Sequence, residues 1–158
     1  MPILPDLLRP GLDIVFCGMA PSAESARQRA YYAHPGNRFW RTLHETGLTT
    51  RRLAPEEYRA LPELGIGFTD VCKRESGRDS ELSKAALDPA AVRRKIAKFQ
   101  PRFLACTSKT AGQSAFSIAQ ICNCHRGSPL KVPLVVPAYH CTLSIVGSLI
   151  RATASAQN

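Results

Sequence analysis

The sequence lacks any apolar run of the length that a membrane-spanning helix needs. Its first eleven residues, MPILPDLLRPG, also lack the basic start and the small-residue cleavage site of a secretory signal peptide. From these absences we expect a cytoplasmic protein with no membrane partner. Neither a G-x-G-x-x-G motif nor a P-loop is present, which argues against a nucleotide-binding enzyme.

Acidic residues are scarce, with 12 Asp and Glu against 21 Lys and Arg and a formal net charge of +9. Such an excess favours polyanionic partners, nucleic acid first and membrane surfaces second, although it can also serve solubility alone. At 158 residues, 44% of them apolar, the chain fits one globular domain and is too short for two ordinary ones. We expect a single domain over residues 1–158 that acts as a monomer.

The usual spacing of metal ligands is missing as well. Two of the six cysteines, Cys17 and Cys106, lie inside apolar runs and are expected to be small core residues. The single cluster, Cys122–His125, has a C-x-C-H spacing that is not a standard zinc or iron–sulfur pattern. We therefore expect no metal site.

Short apolar runs alternate with segments of helical pattern along the chain. Continuous apolar stretches are typical of a parallel sheet that is covered on both faces. Four such runs are expected to be strands: Leu12–Cys17, Gly65–Cys72, Phe103–Thr107 and Val132–Ala138. The alternation predicts an α/β fold, a three-layer αβα sandwich with a central, mainly parallel four-stranded sheet.

Helix start signals stand between these strands. Asn37 is a plausible cap for a helix from Arg38 to about Thr46, and Pro55, Asp88-Pro89 and Ser108 open further helices. The polar segment Lys73–Ser83 is expected to be an exposed loop.

The carboxyl ends of the expected strands meet at one rim of the sheet, which is where an α/β fold has its ligand site. These ends fall at Gly18, Asp70, Thr107 and Ala138.

Five blocks of the sequence form a recognisable series. They are G-M-A-P-S from Gly18, Y-Y-A-H-P-G-N-R-F-W from Tyr31, G-I-G-F-T-D-V from Gly65, K-F-Q-P-R-F-L-A from Lys98 and V-V-P-A-Y-H-C-T-L-S from Val135. In this order they resemble the uracil-DNA glycosylase superfamily, and they look most similar to its mismatch-specific uracil/thymine-DNA glycosylase branch. The resemblance implies a monofunctional glycosylase without metal or cofactor. Such an enzyme flips a damaged base, usually uracil, out of DNA and hydrolyses its N-glycosidic bond.

The resemblance also implies a base pocket. Backbone N–H groups of the Gly18–Met19 turn would face a carbonyl of the base, where fixed dipoles stabilise developing charge. Tyr32 would stack on the base, or it merely covers the core. Asp70 matches a position that is usually Asn, and an ionised carboxylate can only accept hydrogen bonds. Asp70 would therefore tune base choice or activate water, unless it serves only as a cap at the strand end.

The first block departs from the family, because Ala20 stands where an Asn or Asp normally positions water. Asn37 is one substitute, since it resembles the catalytic Asn of related hypoxanthine-DNA glycosylases. His140 lies close to, but out of register with, a His that some members use to stabilise the uracil anion. The candidate catalytic residues are therefore Asn37, Asp70 and His140, with Glu24 as a further possibility.

Contacts to DNA are expected from other positions. Leu143 or Thr142 would be the apolar wedge that enters the duplex where the base leaves. Ser144 and Lys109, at expected helix starts, would hold phosphates, and Ser22 is a further candidate contact. Lys109 is otherwise an ordinary surface lysine.

The partner implied is DNA that contains uracil or another deaminated base. Because Ala20 cannot orient water, a catalytically weak or inactive DNA-binding protein that recognises uracil or abasic sites is the alternative. A glycosylase for another deaminated base, such as hypoxanthine, is a further one.

Overall fold

The computed structural model describes residues 1–116 and the backbone of residues 134–135. Strands β1 (Ile14–Gly18), β2 (Ile66–Asp70) and β3 (Phe103–Cys106) lie in the continuous part, and β4 is the two-residue strand Leu134–Val135. They form one parallel sheet in the order β2-β1-β3-β4. The predicted α/β class is confirmed, although only three strands of full length lie in the described residues.

The helices follow the predicted start signals with small shifts. They are α1 (Ala23–Gln28), α2 (Phe39–Glu45), α3 (Pro89–Phe99) and α4 (Lys109–Ala115), with 3₁₀ segments at Pro55–Leu64, Asp79–Glu81 and Lys84–Ala86. The Asp88 and Ser108 side chains cap α3 and α4 by accepting from Ala91 N and Ala111 N. Helix α1 was not predicted. In residues 1–116 no helix is long and apolar enough to cross a membrane.

Side chains of β1 alternate between two apolar cores, one on each face of the sheet. Ile14 and Phe16 point to the first core, which α2 and the 3₁₀ segment Pro55–Leu64 cover with Trp40, Leu43, Tyr58 and Leu61. Val15 and Cys17 point to the second core, which α3 and α4 cover with Val92, Ile96, Ala111 and Ala115. Because helices cover both faces, the layers are αβα, and the buried Cys17 and Cys106 are core residues as predicted.

The N-terminal arm, residues 1–11, covers the outer edge of β2. Leu7 forms an antiparallel bridge with Phe68: Leu7 N donates to Phe68 O at 2.9 Å, and Phe68 N donates to Leu7 O at 3.1 Å. Pairing of this kind satisfies an edge strand that would otherwise be open. The arm also brings Asp6 to the carboxyl end of β2, where Thr69 Oγ1 donates to its Oδ1 at 2.9 Å.

Phe68 is at the centre of an aromatic cluster in the first core. Its ring stacks on Tyr31 with centroids 4.7 Å apart and packs against four further rings, those of Phe16, Tyr32, Phe39 and Trp40. We expect Phe68→Leu to lower the free energy of unfolding by about 1–3 kcal/mol, because transfer, cavity and aromatic contributions are lost together. Urea unfolding measures this loss. Phe99→Leu, at a half-buried ring outside the cluster, is the control, and equal losses in the two variants would contradict the prediction.

Candidate active site

Three strand ends bring polar groups to one rim of the sheet. Gly18 and Asp70 are direct neighbours in the register of β1 and β2, and Thr107 follows β3. By the alternation of strand side chains, all three lie on the face of the first core. The fourth predicted end, Ala138, lies outside the described residues.

Because Gly18 has no side chain, three polar side chains approach its Cα closely at this rim. A Cβ atom on Gly18 would lie 2.6 Å from Asp70 Oδ1, 3.6 Å from the Tyr32 hydroxyl and 3.7 Å from Thr107 Oγ1. We call this group, Gly18, Tyr32, Asp70 and Thr107, the Gly18 notch. An acceptor and two hydroxyls therefore converge beside Gly18, and a methyl group there would overlap the Asp70 carboxylate.

Tyr32 reaches the notch with an unusual backbone. Its φ of 54° lies in the left-handed region, which is strained for a bulky residue and frequent at functional sites. One face of its ring stacks on Phe39, with centroids 4.0 Å apart and planes 19° from parallel. Among the described residues its buried hydroxyl makes no hydrogen bond of standard geometry, and the Thr107 hydroxyl is the neighbour that lowers its pKa. Burial and the nearby Asp70 raise the Tyr32 pKa well above its ordinary value, so the hydroxyl stays protonated and can donate to a ligand.

Asp70 is a buried carboxylate, only 2% exposed. Burial raises its pKa, and Lys73 opposes that shift from 3.3 Å away, between Lys73 Nζ and Asp70 Oδ2. In residues 1–116 this ion pair holds the side chain, and the neighbouring Tyr31 hydroxyl also lowers the Asp70 pKa. Asp70 can thus present Oδ1 to the notch while Oδ2 is neutralised.

Lys73 is an exception to the predicted exposed loop Lys73–Ser83, because its side chain is largely buried whereas most of the segment after it is exposed. Its side chain is 16% exposed, and Nζ lies 2.9 Å from Asp6 Oδ1 and 2.9 Å from the Tyr31 hydroxyl. Lys95 Nζ lies 2.6 Å from the other oxygen of Asp6. Burial would raise the pKa of Asp6, but Lys73 and Lys95 together lower it. The sequence held one weak signal for Asp6, an acidic residue alone in an apolar arm.

A sequence model of the uracil DNA glycosylase superfamily matches residues 5–144. The chain belongs to the uracil DNA glycosylase superfamily. The structure is also similar to the solution NMR structure of a candidate uracil DNA glycosylase from Methanosarcina acetivorans, with a TM-score of 0.63 over 96% of each chain. The two sequences are 23% identical, so this likeness shows a shared fold. Membership of the superfamily supports a DNA glycosylase, a hydrolase of DNA repair.

In this superfamily member Asn37 lies apart from the notch. Its Oδ1 accepts from Phe39 N at 2.9 Å, which supports the start of α2 one residue later than predicted. Asn37 is exposed and lines a separate cleft of about 430 Å³ with His34, Arg52 and Glu56. Tyr32 borders this cleft, but Gly18 and Asp70 do not. The structure therefore does not bring together the two candidate catalytic residues Asn37 and Asp70.

Ser22 and Glu24 support local structure after the turn at Gly18. Ser22 caps α1, with its Oγ accepting from Ser25 N at 3.1 Å. Arg27 and Gln28 pair with Glu24 and lower its pKa to about 2. The Met19 side chain packs into the second core, on the sheet face opposite the notch. Lys109 is exposed at the first residue of α4.

Four predicted site residues, His140, Thr142, Leu143 and Ser144, lie outside the described residues, as does the Cys122–His125 cluster. Within residues 1–116 no three His, Cys, Asp or Glu side chains come together as metal ligands. Sequence reasoning placed Thr107 on the rim without a role, and it missed Lys73 and Asp6.

Proposed function

We propose that this superfamily member is a monofunctional uracil-DNA glycosylase of the mismatch-specific uracil/thymine branch. It flips uracil out of DNA and hydrolyses the N-glycosidic bond, which leaves an abasic site. Its partner is DNA that contains uracil or another deaminated base, and it acts as a cytoplasmic monomer. The observation on which the proposal depends is the Gly18 notch, where the Asp70 carboxylate and the buried Tyr32 hydroxyl converge.

The notch complements the edge of uracil that carries N3–H between two carbonyl oxygens. Asp70 Oδ1 can accept from N3–H, and the Tyr32 hydroxyl can donate to the carbonyl beside it. This donor offsets the repulsion that an ionised Asp would exert on that oxygen. Negative charge develops on the departing base, so a fixed donor in a dry site stabilises the transition state more than the ground state.

Ala20 offers only a methyl group, so another residue must activate the attacking water. Asp70 is the ionisable group in the notch, and His140 remains a second candidate. Leu143 or Thr142 as a wedge, and Ser22, Lys109 and Ser144 as phosphate contacts, remain predictions.

Excision is tested on a duplex with a single U opposite G, followed by alkali and gel analysis of strand cleavage. We expect cleavage at the uracil, slowed about 10- to 100-fold in single turnover by Tyr32→Ala, because a hydrogen bond to a base carbonyl that gains negative charge contributes roughly 1.5–3 kcal/mol. Tyr32→Phe removes only the hydroxyl and so separates its contribution to the excision rate from that of the ring. Tyr58→Phe is its matched control, since Tyr58 also has a buried hydroxyl without a partner in the described residues. Unchanged uracil release by Tyr32→Ala would contradict the pocket assignment.

Ala20 favours one alternative, a DNA-binding protein that recognises uracil or abasic sites without turnover. Such a protein would bind the uracil duplex with a steep salt dependence and leave the strand intact. The same cleavage assay is run on duplexes and single strands that carry hypoxanthine, xanthine or mismatched thymine. Cleavage at one of these bases identifies a glycosylase for another base.

A further inference from the structure

Lys73 occupies an unusual position for a lysine, because it bridges the notch and the N-terminal arm. Its Nζ lies 3.3 Å from Asp70 Oδ2, 2.9 Å from Asp6 Oδ1 and 2.9 Å from the Tyr31 hydroxyl. The side chain is 16% exposed, so these contacts are largely shielded from solvent. A lysine with three oxygen partners has little freedom to move away from any one of them.

The two oxygens of Asp70 have different surroundings. Oδ2 faces Lys73, whereas Oδ1 is the atom that a Cβ on Gly18 would meet at 2.6 Å. The ion pair therefore favours the orientation in which Oδ2 faces Lys73 and Oδ1 faces the notch, and the Tyr31 hydroxyl beside Asp70 supports it. Asp6 fixes Lys73 in turn, and Thr69 and Lys95 hold Asp6 in place.

We propose that Lys73 is a positioning residue for Asp70, and that the N-terminal arm, through Asp6, belongs to the site. Lys73 turns Oδ1 to the notch and balances the charge of the buried carboxylate. The importance of Lys73 for catalysis rests on the proposed function. Its effect on the orientation and charge of Asp70 is independent of that function. Lys73 does not line the notch and contacts no reacting atom.

The other titratable groups near Asp70 cannot balance its negative charge, although the Tyr31 hydroxyl lowers its pKa as a neutral hydrogen-bond donor. The pKa of the Cys17 thiol on β1 is raised by its hydrogen bond with Cys106 and by burial. The pKa values of the Tyr31 and Tyr32 hydroxyls, before α2, are raised chiefly by burial. All three are neutral near pH 7, and Asp6 is an anion that opposes ionisation of Asp70. Lys95 pairs with Asp6 and not with Asp70. Within residues 1–116, Lys73 is the cation in contact with Asp70.

The experiment follows the Asp70 carboxyl carbon by ¹³C NMR through a pH titration of the free protein, with the signal assigned from Asp70→Asn. We expect Lys73→Met to move the midpoint upward by about one to three pH units, because the opposite charge that favours the ionised form is gone. Lys73→Arg restores the wild-type midpoint. Lys95→Met is the matched control, because it removes a lysine from Asp6 while leaving the Asp70 pair, and its shift is much smaller.

Base excision measured against pH gives the second readout. The acid limb of the single-turnover rate moves upward in Lys73→Met in step with the NMR midpoint and returns in Lys73→Arg. Lys73→Gln, whose amide still donates to Tyr31 and Asp6, replaces Lys73→Met if that variant does not fold. The proposal is overturned if Asp70 titrates with the same midpoint in wild type and in the neutral Lys73 variant. It is also overturned if Lys95→Met shifts that midpoint as far as Lys73→Met does. Shifted midpoints without excision of any base by the wild type overturn the proposed function and leave the positioning of Asp70 standing.

Discussion

Gly18→Ala is expected to lower the rate of uracil excision by about 100-fold, because an ångström-scale displacement of a reacting group can cost that much. The added Cβ would lie 2.6 Å from Asp70 Oδ1, closer than real Cβ contacts allow. Asp70 cannot turn aside easily, because Lys73 holds its other oxygen and the strand pairing fixes its backbone. The φ of Gly18 is not in the left-handed region, so the effect is steric and confined to the notch.

Single-turnover excision and thermal unfolding, measured together, separate chemistry from stability. Gly65→Ala is the matched control, because its Cβ would also lie 2.6 Å from a carboxylate oxygen, that of Asp13, at the end of the sheet opposite the notch. Both variants overpack their surroundings, at a cost of about 1–3 kcal/mol. Only Gly18→Ala should slow excision in the folded fraction. Wild-type excision by a folded Gly18→Ala would show that the base binds elsewhere.

The framework of the notch could be predicted from local pattern. Apolar runs that stop at Gly18 and Asp70 specify strands and where they end, and parallel pairing then brings these ends together. Asp88 and Ser108 likewise mark helix starts through short-range hydrogen bonds that their own side chains make. Signals of this kind lie within a few residues, so they are visible without the fold.

What could not be predicted depends on contacts between distant segments. Lys73 begins a polar segment, and composition alone places such a residue in solvent, yet Asp6 and Asp70 draw it inward. The left-handed backbone of Tyr32 also depends on its surroundings, because a bulky residue adopts it only where packing compensates for the strain. Helix α1, AESARQ, is short and has no apolar stripe, so its sequence pattern is weak.

The same distinction applies to Asn37. Sequence similarity to a catalytic Asn is a statement about one block, whereas catalysis needs that block to meet Asp70 in space. In the structure the Asn37 carboxamide contacts Phe39 N and lines an exposed cleft that excludes Asp70. The residues whose polar atoms do converge on Asp70, Tyr32 and Thr107, come from different elements. Asp70 is therefore the candidate whose substitution tests the site most directly.

Asp70→Ala is expected to slow excision by about 100-fold, because a hydrogen bond to a charged acceptor contributes up to about 3 kcal/mol. Asp70→Asn separates two roles, because its carbonyl oxygen can still accept from the base N3–H, whereas an amide cannot take a proton from water. We expect the Asn variant to stay within about tenfold of wild type, as loss of the charge on one hydrogen bond amounts to roughly 1.4 kcal/mol. An Asn variant as slow as the Ala variant would instead assign Asp70 to water activation.

The pH dependence provides the internal check. Burial raises the Asp70 pKa, so the ionised acceptor is lost as pH falls through that value. The wild-type rate then falls by up to about tenfold, because the protonated carboxyl, like an amide, still accepts through its carbonyl oxygen. Asp70→Asn has no such group, and its acid limb should disappear while that of the exposed control Asp79→Asn remains. An acid limb that survives in Asp70→Asn belongs to another residue, and His140 is then the next to replace. The combination of a retained rate and a lost limb is expected only if Asp70 acts in the notch as a hydrogen-bond acceptor for the base.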